Sequence, residues 1–218
     1  RNRLGTYYPP LVCFLDKTFL PTVSSREISS GIGEILKLAI IKDRALFELI
    51  EKHGESLFEN KFDCEFADEV INMSISGMIE ELENNLWEKN LKRVVDFGHS
   101  FSPIIEMRSF ADEYTVPLLH GQAVMLDVIF SSIISCGRGL LSQEDLNRII
   151  KTTKEVGLPI YHESFTNSLL LMESLQDTIK HRNGNQNLPI PVAIGKSIFI
   201  NDVTLEEIQK GINNYKTL

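Results

Sequence analysis

A mainly α fold is predicted by three features of the sequence. Apolar residues recur every three to four positions along most of the chain, helix-starting and helix-stopping residues bracket those stretches, and strand-like runs are confined to a short stretch near each end. With 218 residues, 43% of them apolar, the chain is long enough to bury one sizeable core and reads as one compact unit. Residues 1–23 read as loop and short strand: Gly5 and the Pro9-Pro10 pair oppose helix, and 11–15 is a short apolar run. From 27 to 53, Ile32, Ile35, Leu36, Ala39, Ile40, Phe47 and Ile50 keep helical spacing, which predicts one long helix or two with a kink, with Gly54 as its stop. A helix over 66–87 follows, apolar along Val70, Met73, Ile75 and Met78. Residues 92–103 carry an apolar stretch into a Gly, a turn that can set polar side chains at a helix start. Further helices are expected over 119–136, over 142–156 behind Ser142, over 169–180, and from Thr204 with Glu206 and Glu207 in the first turn. Residues 188–192 and 197–200, around Ile194-Gly195-Lys196, predict a β-hairpin.

A net charge of -8 and a pI near 5.2 oppose binding to nucleic acid or an anionic membrane, so any anionic ligand must be held by local groups. Cys13, Cys64 and Cys136 are odd in number and far apart, which argues against a disulfide framework or a thiolate metal site and for a reducing cytoplasm. The most apolar run, 124–134, contains Asp127 and is too short to span a bilayer. The start at Arg1-Asn2-Arg3, without Met, suggests a piece of a longer protein. No GxGxxG or P-loop pattern offers a nucleotide site.

Three ionisable residues sit in unusual company: Glu34 inside an apolar helix, His99 directly after Gly98, and His120 directly before Gly121 at the start of a buried helix. Two imidazoles and a carboxylate suit Zn²⁺ or a similar divalent ion with a position left open; the plainer alternative is a surface Glu and two capping or hydrogen-bonded histidines. Lys37 lies one turn from Glu34, as a partner toward metal and substrate or as an ordinary ion pair. Asp96, Lys92 and Arg93 flank the Gly-His turn and can hold a phosphate or position hydroxyls, or form a solvated charged turn. Lys180-His181-Arg182 is a compact basic triplet before an Asn-Gly-Asn turn, an anion site or a solvated run.

Several segments, taken in order, resemble one family. Asn2-Arg-Leu-Gly5, Asp16-Lys-Thr-Phe-Leu20, Arg26-Glu-Ile-Ser-Ser-Gly-Ile-Gly-Glu-Ile-Leu-Lys37, Asp96-Phe-Gly-His-Ser-Phe101, Leu119-His-Gly-Gln-Ala-Val124 and Pro191-Val-Ala-Ile-Gly195 are similar to dehydroquinate synthase and its sugar phosphate cyclase relatives, over nearly the whole chain. The resemblance implies the helical C-terminal metal-binding domain of the dehydroquinate synthase-like fold over 1–218, a dinucleotide-binding domain elsewhere in a longer protein, and a homodimer. It implies Zn²⁺ or Co²⁺ on Glu34, His99 and His120. Lys37, Arg1, Asn2 and Lys92 then meet substrate, and Phe19, Thr22 and Glu27 meet the edge of an NAD held mainly by the other domain.

The departures narrow the resemblance. Dehydroquinate synthases have a second His four residues after the metal-binding one and an upstream Lys, where this chain has Pro103 and Met78. The form of residues 96–103, with Leu86 and Trp87 after the acidic run 80–85, resembles cyclases that use sedoheptulose 7-phosphate. Asp96 and His181, beside Lys180, resemble the 2-epi-5-epi-valiolone synthases more than the desmethyl-4-deoxygadusol synthases. Such enzymes oxidise a hydroxyl with NAD⁺, eliminate phosphate, reduce again and close the ring by an aldol step. The 218-residue chain alone is therefore expected to be inactive, since most of the NAD site lies outside it; as an isolated piece it reads alternatively as a non-catalytic metal-binding or dimerising module.

Overall fold

The computed structural model describes residues 8, 10–87, 89–111 and 116–218. Among them run α1 (Ser25–Lys42), α2 (Arg44–Glu59), α3 (Ala67–Glu83), α4 (Ser102–Ala111), α5 (His120–Gly137), α6 (Gln143–Glu155), α7 (Ser168–His181), strands β1 (Leu188–Ala193) and β2 (Lys196–Ile200), and α8 (Leu205–Tyr215). A helix that is apolar all round has to be central. That helix is α5, buried without a break from Ala123 to Ser135, and α1, α4, α6, α8 and β1 pack around it. Its buried serines all spend their hydroxyls: Ser131 donates to Asp127 Oδ1 at 3.0 Å and Ser132 to Val128 O at 2.7 Å within the helix, and Ser135 donates across to Pro191 O of β1, so no polar group there is left in an apolar core unpaired.

The 27–53 periodicity resolves into two helices, and Asp43 makes the break. Its N–H closes α1 on Ala39 O at 3.0 Å, while its Oδ1 accepts the N–H of Leu46 at 3.0 Å and starts α2. Gly54 is not the stop expected of it: α2 continues to Glu59, and Gly54 is buried where an added Cβ would lie 2.6 Å from Val156 Cγ1. The residue is small because α6's end packs on it. The strand expected over 11–15 is not formed either. Leu11 and Phe14 point into solvent, and no other described strand lies beside them, because a strand needs a partner ladder that only β1 and β2 give each other. The segment leads instead into a 3₁₀ turn, Lys17–Thr22, capped by Asp16.

The predicted hairpin is present and antiparallel, with Ala193 opposite Lys196. Gly195 sits in its turn at φ +82° and donates to Ile40 O at 2.8 Å, so close to α2 that a Cβ would be 2.6 Å from Arg44 N. Helix α4 was not anticipated as a helix of its own. No helix among the described residues is long and apolar enough to cross a membrane.

Candidate metal centre

Glu34, His99 and His120 lie on three different elements, and close packing on α5 brings them together. Gly33 of α1 and Gly121 of α5 mark the crossing: a Cβ on Gly121 would stand 1.9 Å from Ser30 O, and Gly121 N–H donates to Ser30 Oγ at 2.9 Å. Glu34 follows the first glycine and His120 precedes the second, so the crossing sets His120 Nε2 3.4 Å from Glu34 Oε1. The loop carrying His99 is pinned to the same helix. Gly98, at φ +76°, leaves only 2.7 Å between a notional Cβ and Val124 Cγ1. Asp127 Oδ2 then accepts the N–H groups of Ser100, Phe101 and Ser102 at 2.9, 2.6 and 2.9 Å, neutralising the N-terminus of α4. Burial pushes the Asp127 carboxyl above the usual carboxylate range, against these donors and the Ser131 hydroxyl.

The result is three donor atoms, one from each residue, all within 4.8 Å of one another. Both imidazoles are oriented from behind. His99 Nδ1 is 3.2 Å from Phe97 O and His120 Nδ1 is 2.9 Å from Glu106 Oε2. A carbonyl or carboxylate oxygen can only accept, so each Nδ1 carries the proton and each Nε2 a lone pair. Those Nε2 atoms face one another across 3.3 Å. Two lone pairs so placed are relieved only by a cation between them, a metal ion or a proton. Glu34 Oε2 accepts from the buried Lys37 Nζ at 2.8 Å, whereas the buried Glu34 Oε1 accepts no hydrogen bond. The donor set therefore fits a divalent ion such as Zn²⁺ or Co²⁺.

The electrostatics favour the metal-ready forms. Burial first, then the charge of Lys37, push the His99 pKa from its ordinary 6.5 down to about 4, outweighing Glu34 and the Phe97 carbonyl. Burial raises the Glu34 carboxyl, but Lys37, by charge and by hydrogen bond, and the two imidazoles outweigh it and leave Glu34 below the usual carboxylate range. At neutral pH His99 offers its lone pair and Glu34 its charge. A depressed histidine pKa also sets a sign for stability. The unfolded chain takes up the proton first, so metal-free protein should lose stability as pH falls from 6.5 toward about 4, by on the order of 3 kcal/mol in all. Thermal melts of metal-free protein at about pH 7 and about pH 5 should show a smaller acid loss in His99→Ala than in the parent; an equal loss would remove His99 from the balance.

A model of the 3-dehydroquinate synthase C-terminal family matches residues 31–180, which include all three convergent residues. The chain belongs to this family. Among curated relatives, the 2-epi-5-epi-valiolone synthase of Streptomyces hygroscopicus subsp. jinggangensis (strain 5008) is 42% identical over 218 residues, covering 97% of this chain and 51% of the relative. The demethyl-4-deoxygadusol synthase of Trichormus variabilis is 31% identical over 226 residues, covering 100% of this chain and 54% of the relative. A solved 2-epi-5-epi-valiolone synthase from the same Streptomyces, with NAD⁺ and Zn²⁺ bound, superposes with a TM-score of 0.93 over 100% of this chain and 59% of its own. The chain thus spans about half the length of the curated relatives it matches.

The other residues singled out on family grounds are spread more widely than the triad. Asp96 is nearly buried, with Arg93 Nη2 2.7 Å from its Oδ1 and Arg182 Nε 3.6 Å from its Oδ2. The basic triplet is split: Lys180 and His181 are exposed at the end of α7, His181 with Asp177 at 3.6 Å, while Arg182 turns inward toward Asp96 and the carbonyls of Gln186 and Asn187. Lys92 is exposed, its ammonium 6.0 Å from the centre of the Phe199 ring. Phe19, Thr22 and Glu27 are all solvent-facing around the start of α1, where Glu27 also completes the capping box with Ser24. Arg1 and Asn2 lie outside the described residues. Pro103 occupies the first turn of α4, a position that spares a backbone N–H. Met78 lines an apolar groove of about 860 Å³ with Leu15, Leu20, Ile35, Ile71 and Ile75; none of the triad lines it, so the site is identified by converging donors and not by volume. Glu106, Asp127 and the inward turn of Arg182 are the contributors that sequence reasoning missed.

Proposed function

We propose that this chain is the metal- and substrate-binding half of a phosphate-eliminating sugar phosphate cyclase, one that converts sedoheptulose 7-phosphate to 2-epi-5-epi-valiolone. The carrying observation is the convergence of one donor atom each from His99, His120 and Glu34, all within 4.8 Å of one another. It occurs in a chain 42% identical to a valiolone synthase and 31% identical to a demethyl-4-deoxygadusol synthase. On this reading residues 1–218 are the C-terminal helical domain, and the NAD-binding domain lies in the remainder of a longer, homodimeric protein. Support comes from relatives about twice as long and from NAD⁺ and Zn²⁺ in the solved relative.

Glu34, His99 and His120 would hold Zn²⁺ or Co²⁺, whose Lewis acidity lowers the pKa of substrate hydroxyls, while NAD takes and returns hydride. The chain's own groups do the rest. Lys37 spends one of its three N–H donors on Glu34 and is buried there, a fixed positive charge for an oxyanion on the substrate. Asp96, held by Arg93 and flanked by Arg182, is a preset acceptor for a hydroxyl of a long sugar. Lys92, Lys180 and His181 are exposed cations suited to phosphate and the sugar tail, together with Arg1 and Asn2; Phe19, Thr22 and Glu27 present a free edge to the NAD domain.

Product analysis decides the reading. Full-length protein supplied with sedoheptulose 7-phosphate, NAD⁺ and Zn²⁺ or Co²⁺ should release phosphate and 2-epi-5-epi-valiolone in equal amounts. Formation of demethyl-4-deoxygadusol instead, or no turnover of sedoheptulose 7-phosphate by the metal- and NAD-loaded protein, would overturn it.

A further inference from the structure

We infer that Glu106 is a positioning residue for the proposed metal centre, fixing His120 as a ligand through its Nδ1 proton and adding a second negative charge behind the site. The inference rests on the metal reading above and goes beyond it, since it concerns a residue that is not one of the three donors. Glu106 is on α4, is 9% exposed, and places Oε2 2.9 Å from His120 Nδ1. A buried carboxylate is expensive unless it meets a charge or strong donor, and here the donor is a histidine whose other nitrogen points at Glu34 and His99.

The helix holding Glu106 is fixed at both ends relative to the elements that carry the triad. At its start, Asp127 of α5 accepts three successive N–H groups. Toward its end, Ser109 Oγ donates to the Glu106 carbonyl at 2.7 Å and accepts the N–H of Leu118 at 3.0 Å, two residues before His120. Glu106 and His120 are therefore held by one short hydrogen-bonded bridge, and their contact is a built feature of the packing. His99 is oriented differently, by the neutral carbonyl of Phe97. The two imidazoles are consequently unequal: a carboxylate behind an imidazole makes its Nε2 the more basic donor, and a carbonyl does so less. Lys37 is ion-paired with Glu34, and Glu106 places a second carboxylate behind the site, against His120.

The test is metal affinity in the full-length protein that carries this chain. Zn²⁺ dissociation constants are measured by competition with a chromophoric chelator, alongside the visible absorption of the Co²⁺ form, for the parent, Glu106→Gln and Glu106→Leu. Glu106→Leu should weaken Zn²⁺ binding about 10- to 100-fold and alter the Co²⁺ spectrum. Glu106→Gln keeps the volume and an acceptor but loses the charge, and should weaken binding less, by about 3- to 10-fold. If the Leu variant does not fold, the Gln variant decides alone. Affinity within twofold of the parent in either folded variant would overturn the inference. Failure of the parent itself to bind metal would instead overturn the metal reading on which it rests.

Discussion

Changing His99 or His120 to Ala is expected to abolish stoichiometric Zn²⁺ or Co²⁺ binding by the full-length protein and to lower turnover in the proposed cyclase reaction by at least about 10³-fold. Each imidazole supplies one of three donors within 4.8 Å, and a carboxylate with a single histidine is a poor site for either ion. Because both residues act through one ion, the double variant should be scarcely worse than either single variant. The melting temperature of metal-free protein separates this reading from a purely structural pair of histidines. The two Nε2 atoms face each other at 3.3 Å with both Nδ1 atoms already engaged, so removing one ring relieves a repulsion. Metal-free His99→Ala should therefore melt no lower than metal-free parent, whereas His120→Ala also takes the donor from the buried Glu106 carboxylate and should melt lower. Unchanged metal content by elemental analysis, together with a clearly lowered melting temperature of His99→Ala, would mean the histidines are there for packing.

Gly121→Ala is expected to destabilise the protein by about 3 kcal/mol or more and to cost metal affinity as well. The new methyl carbon would lie 1.9 Å from Ser30 O and 2.7 Å from Ser30 C, both backbone atoms that cannot rotate away. Helices α1 and α5 must then separate by more than about 1 Å, and a displacement of that size next to His120 carries it away from Glu34. A fall in melting temperature of about 6–12 °C, with Zn²⁺ affinity reduced about tenfold or more, is the expected result. Gly31→Ala is the control. Gly31 is on α1, next to Ser30, with nothing within 4 Å of its notional Cβ, so alanine there should be neutral or stabilise by up to about 1 kcal/mol. Equal behaviour of the two variants would show that the crossing is looser than 1.9 Å implies.

Read along the chain, the sequence by itself determined the helical class and the hairpin, and it left one helix or two open over 27–53, where the fold makes the break at Asp43. Those features are written in residues three or four positions apart, or in a single capping side chain, so a linear reading reaches them. It also singled out Glu34, His99 and His120, because a carboxylate on an apolar helix face and histidines beside glycines are visible without knowing what they meet. Residues 11–15 were misread as strand for the converse reason: strand formation depends on a partner ladder, which apolar composition does not supply. Gly54 was misread as a stop because the atom that forbids a side chain there belongs to Val156, a hundred positions away in the chain.

Only the tertiary structure decided what surrounds the three donors. Glu106 meets His120 across fourteen positions, Asp127 meets the N–H groups of Ser100 to Ser102, and Arg182 reaches Asp96, each pair joined by the way α4, α5 and α7 pack. Neither periodicity nor composition encodes such pairings, since a buried Glu, Asp or Arg looks like a surface charge until its partner is in place. The donors were legible because their chemistry is their own. Their orientation was not, because it is a property of contacts between elements that the folded core alone brings together.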